Sequence, residues 1–244
     1  MKTKMNNKVK ALLMACCAVL LVFASVIGTL AYLTDTTDKV TNTFTVGKVD
    51  ISLDEAKVNT KGEPLNANND VVDLNSAARY TGTEAQNYQL IPGRKLTKDP
   101  TVTVAANSEE CYVRVLVTVT TMDNLMAAFP YDAINNPDDK RYQEWYTDEG
   151  VFMLEKLVNV QSDWTFVKFD DATDTYEYRY KETVNTSSDD KKLTALFTTL
   201  SVPNTVNNTE LAYLDKLEMK IVAHAIQSEG FANADKAWEE FPTT

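Results

Sequence analysis

Residues 111–121 read CYVRVLVTVTT. Val113, Val115, Val117 and Val119 fall on one parity; Tyr112, Arg114, Leu116, Thr118 and Thr120 fall on the other. Period-two alternation at this density of β-branched residues is the pattern of a pleated strand with one packed face. Cys111 shares the valine parity, which makes it a buried thiol rather than a nucleophile. Working outward, residues 100–104 predict a short strand and 122–129 a short helix. Residues 164–169 and 175–181 predict a hairpin around the acidic turn DDATD, 170–174. Residues 193–202 read as a strand stopped by Pro203. Residues 216–227 read as another, with Leu217, Met219, Ile221, Ala223 and Ala225 on one side and Glu218, Lys220, Val222, His224 and Ile226 on the other. Asn233 predicts the cap of a short helix over 234–241.

Between these lie residues 131–140, read as a loop, and 151–158, which fit a helix or a strand. Residues 56–90 are rich in Asn, Asp and Thr and read as a long irregular segment opening toward the Pro92-Gly93 turn. There is no long helical repeat and no strand–helix–strand rhythm. Many strands with polar loops predict a mainly β chain, a β-sandwich of jelly-roll type with a few short peripheral helices. A length of 244 residues suits one such domain and a sizeable core.

The N-terminus is a separate element. Residues 1–10 are basic, and 11–33, ALLMACCAVLLVFASVIGTLAYL, are apolar or small throughout. A basic start, an apolar centre and a small-residue exit are the three parts of an export signal, with cleavage expected between Ala31 and Tyr32. The run is also long enough to span a bilayer, so an uncleaved anchor is the competing reading. The expected organisation is therefore a signal peptide over 1–31 and a single domain over 32–244. After the run comes the Thr/Asp-rich segment TDTTDKVTNT, 34–43, and then a strand-like alternation of Phe44, Val46, Val49, Ile51 and Leu53.

Three blocks carry a resemblance. They are AYLTDT with NTFTVG and VDISLDE between 31 and 55, PGRKLTKDPTVTVAANSEECY at 92–112, and AHAIQSEGFANADKAW at 223–238. Together they resemble the TasA/CalY/camelysin family, secreted proteins of Gram-positive bacteria whose signals are cut by the dedicated signal peptidase SipW. The middle, residues 131–185, does not match. The resemblance implies a jelly-roll fold and a fibre subunit of the biofilm matrix. It also implies assembly in which an N-terminal segment completes the sheet of the next subunit. On this chain that segment is 32–44, with Tyr32, Leu33, Val40 and Phe44 as apolar anchors. Partners would be further copies of the chain or related matrix subunits, with the signal peptidase acting during export. The mature protein would be extracellular or on the cell surface, and not membrane-embedded.

Composition narrows the alternatives. The net charge of −11 becomes −15 once residues 1–31, with four lysines and no acid, are removed. Such a chain repels nucleic acid and anionic membrane surfaces. Cys16 and Cys17 leave with the signal, so Cys111 has no intrachain partner. Camelysin-like members have been classed as metallopeptidases, but His224 is the sole histidine and sits in HAIQS, without an H-E-x-x-H pattern. No nucleophile elbow, P-loop or dinucleotide fingerprint is present. No catalytic, cofactor or metal residue is therefore expected. A cell-surface metallopeptidase stands as one alternative. A surface adhesin or carbohydrate-binding module is another, with Tyr176, Tyr178 and Tyr180 as an aromatic surface; the plainer reading packs those rings on a neighbouring strand. Paired carboxylates recur through the chain, and the loops 135–139 and 170–174 offer oxygen ligands for Ca²⁺ without EF-hand spacing.

Overall fold

The computed structural model describes residues 48–81, 86–131 and 140–242, and the backbone of 34–36. The strands are β1 (Thr34–Thr36), β2 (Ile51–Ala56), β3 (Arg79–Tyr80), β4 (Lys95–Thr97), β5 (Thr101–Val104), β6 (Cys111–Val119), β7 (Trp164–Asp170), β8 (Thr175–Tyr180), β9 (Lys191–Lys192), β10 (Thr199–Ser201) and β11 (Met219–Gln227). Three short helices accompany them: α1 (Met122–Ala128), α2 (Asn208–Tyr213) and α3 (Ala234–Glu239). One sheet runs β1-β11-β6-β8-β7 and a second β3-β2-β5-β9, with β10 and β4 paired beside them. Every pairing is antiparallel.

The expected mainly β architecture is observed. Strand β6 forms the centre of the larger sheet, in register with β11 along its whole length and with β8 from Arg114 to Thr118. Val113, Val115, Val117 and Val119 are at most 1% exposed, and their neighbours of opposite parity are half-buried. Ile51 of β2 and Val102 and Val104 of β5 join those valines in one apolar cluster, so the two sheets face each other across it. Each such side chain withdrawn from water contributes about 1.5–3 kcal/mol. Residues 122–131 and 140–158 add an aromatic lobe to this core. There Phe129 stacks on Trp145 at 4.9 Å, and Tyr142, Tyr146 and Phe152 surround the pair.

Several expectations are corrected. The strand expected over 193–202 reduces to Thr199–Ser201, with Lys191–Lys192 a separate short strand. Leu193, Leu196, Phe197 and Leu200 are all buried, and that spacing fits an irregular segment tucked under the sheets rather than a two-faced strand. The segment 56–90 is more ordered than expected: it holds β3 and a 3₁₀ turn at Leu74–Ser76, and Asn59 and Asn66 each close a turn with their side-chain oxygens. Residues 151–158 resolve into a 3₁₀ turn at Leu154–Lys156 flanked by isolated bridges. Helix α2 was not expected. Its N-terminus is a capping box between Asn207 and Glu210.

Candidate assembly edge

Strand β1 decides what the larger sheet offers at its edge. Thr34, Asp35 and Thr36 pair with Ile226, Ala225 and His224, so the N-terminal segment lies on the outer side of β11 within the same molecule. The apolar periodicity that placed the other strands is missing from TDT; main-chain pairing sets its position. At the opposite end of the sheet, β7 pairs with β8 alone among the described strands. Strand β7 shifts register between Phe166 and Lys168, and Phe166 and Val167 are exposed. A bulge and a lysine on an edge strand are two of the devices that discourage unplanned pairing.

The outer face of β11 is held by the C-terminal segment. Ile226 is fully buried beneath α3 and packs with Ala237, Trp238 and Phe241. His224 stacks on Phe241 with ring centroids 4.7 Å apart and planes 16° from parallel. On β6, directly across from His224, Arg114 donates through Nε to His224 Nδ1 at 3.2 Å. The Arg114 guanidinium also lies 4.4 Å from the Trp238 ring and 4.8 Å from the Phe241 ring, a cation–π contact with each. Burial pulls the Arg114 pKa down, with Glu177 opposing the shift. Glu177, itself 3% exposed, is met by Arg114 and by Arg179, and Arg179 reaches on to Asp235 of α3. Asn233 caps α3 by accepting from the Lys236 N–H, as its sequence position predicts. His224 is thus the register partner of the N-terminal strand and, through its ring, a contact of Phe241, just beyond α3. Sequence reading located the two ends but not this junction, which requires residues far apart in the chain.

Of the residues expected to matter, Ala31, Tyr32, Leu33, Val40 and Phe44 lie outside the described residues. Tyr176, Tyr178 and Tyr180 do not form an exposed aromatic surface. Tyr176 and Tyr178 are 1% and 0% exposed, and Tyr180 is half-buried. They share the parity that faces the core; their hydroxyls donate inward, Tyr176 to the Phe152 carbonyl and Tyr178 to Glu155. Tyr180 packs edge-on against Trp164. Cys111 is fully buried, and burial, reinforced by Glu110, pushes its thiol up to about 12. The loop at 170–174 is closed by Asp170 accepting from the Ala172 N–H, and 135–139 lies outside the described residues. Among the described residues no three His, Cys, Asp or Glu side chains converge as a metal-binding group, and no helix is long and apolar enough to cross a membrane.

No family model, curated protein or solved structure matches the chain.

Proposed function

We propose that this chain is a secreted, non-enzymatic matrix subunit of the TasA/camelysin type, which assembles head to tail through its N-terminal segment. The observation that supports this is the position of β1. Thr34–Thr36, within the segment from which strand donation is expected, lie on a sheet edge of their own molecule, at Ile226, Ala225 and His224. A short strand held there by main-chain pairing can be replaced by the same segment of another copy, with the same hydrogen bonds. In the free subunit the strand covers its own edge; in the assembled form it covers its neighbour's. The acidity of the chain and the side chains already engaged around His224 accord with a structural role.

Electron microscopy of protein beginning at Tyr32, beside a variant lacking 32–43, tests the reading. Fibres from the first and folded, non-polymerising particles from the second are expected. Fibres of unchanged form from the deletion would overturn strand donation. Monodisperse particles from the intact mature chain, at every concentration reached, would overturn the subunit assignment.

A further inference from the structure

A second cluster lies at the smaller sheet. Glu55 near the end of β2, Lys98 between β4 and β5, and Gln86 in the segment leading to β4 meet around one carboxylate. Lys98 Nζ donates to Glu55 Oε1 at 2.8 Å and to Oε2 at 3.1 Å. The amide nitrogen of Gln86 donates to the same Oε2 at 3.3 Å and to the Ala56 carbonyl at 3.1 Å. The amide oxygen of Gln86 accepts from the Val58 N–H at 2.9 Å. A primary amine and a primary carboxamide are therefore bridged by one acid. The side chains of Lys98 and Glu55 are only 12% and 17% exposed. The Tyr88 ring lies 5.7 Å from Lys98 Nζ, and the buried Tyr88 hydroxyl makes no hydrogen bond among the described residues.

From this geometry we infer that Lys98 and Gln86 are the two halves of an intramolecular isopeptide bond, with Glu55 as the proton carrier. The condensation needs no oxidant and no cofactor. Glu55 takes a proton from the Lys98 ammonium, and the freed lone pair forms the Nζ–Cδ bond to Gln86. Negative charge gathers on the Gln86 oxygen, where the Val58 N–H already points. Glu55 delivers its proton to Nε2, the Cδ–Nε2 bond breaks, and the nitrogen leaves as ammonia. The surplus proton on Nζ departs with it as ammonium, and Glu55 returns to its starting state. The two transfers through Glu55 run over hydrogen bonds already present, which is the positional requirement for general acid–base catalysis. The product ties the irregular segment before β4 to the end of that strand, alongside β2.

The test is the intact mass of the full mature chain, followed by a tryptic digest. The expected result is a mass lower than that of the sequence by one ammonia, together with a branched peptide joining Gln86 to Lys98 and no cleavage after Lys98. Glu55→Gln and Lys98→Arg should each restore the full sequence mass. A wild-type chain at full mass after prolonged incubation would overturn the proposal, whatever the variants do. So would an ammonia loss that maps to an asparagine succinimide instead of a branched peptide. Cross-linking that persists in Glu55→Gln would overturn the role of Glu55.

Discussion

At the scale of single residues, Gly62 shows how closely the turn after β2 packs on β4. Its φ of +73° is a conformation that side-chain-bearing residues rarely adopt. A Cβ there would meet Leu96 Cα at 2.7 Å, and Leu96 is 1% exposed. The Gly62 carbonyl also accepts from the Thr97 N–H, so the turn cannot move away without breaking that bond. Gly62→Ala is expected to destabilise the fold by about 1–3 kcal/mol through backbone strain and contact with Leu96. Urea unfolding should show a lower midpoint at unchanged slope; an unshifted midpoint would mean that the turn relaxes freely.

At the scale of elements, α3 is held by an aromatic and charged clasp more than by its own length, since six residues alone make no stable helix. Trp238 is 7% exposed and lies beneath the Arg114 guanidinium, with Phe241 and Ile226 beside it. Trp238→Ala should cost about 3–5 kcal/mol, the range for emptying a buried aromatic site. Amide exchange should rise first in β11 and α3. Exchange spread evenly over the molecule would refute the clasp as a local unit. This helix was legible from Asn233, because a capping side chain followed by an apolar face is a local signal. Strands β6, β8 and β11 were legible for the same kind of reason, their alternation being contained within each segment, and β7 from the acidic turn that joins it to β8. The capping box of Asn207 and Glu210 was present in the sequence and passed over. The partner of Thr34–Thr36 was not readable in principle. Three polar residues have no amphipathic period, and their mate lies at the other end of the chain. The meeting of Glu55, Gln86 and Lys98 was equally hidden, since it depends on how three separate segments cross.

At the scale of the whole molecule, the core buries groups that resist losing a proton. The Cys111 thiol is pushed from 9.0 up to about 12, chiefly by burial. Burial also raises the hydroxyls of Tyr146, Tyr176 and Tyr178 above their ordinary 10.0, with Glu155 adding to the shift at the last two. Below about pH 8 these groups keep their protons in both folded and unfolded chains and add no pH dependence. Above it the unfolded chain releases protons that the folded chain retains, so stability must fall. Each group in its titration window contributes a slope of up to about 1.4 kcal/mol per pH unit. Urea midpoints should hold steady from pH 7 to about 8 and then drop progressively, the thiol first and the tyrosines after it. Stability that stayed level to pH 11 would show that these hydroxyls reach water.

The pairing of Thr36 with His224 also sets an order in time. A polypeptide is made from its N-terminus, so β1 is among the first parts of the domain to appear, while its template β11 is nearly the last. The contact spans almost the whole domain, the kind of long loop closure that forms slowly. Throughout that interval β1 is a strand without an edge. Under the strand donation proposed above, whichever copy of the segment arrives first once β11 is complete would occupy it. Where many chains emerge close together, local crowding can therefore decide between a closed monomer and a linked pair before any finished molecule has to open.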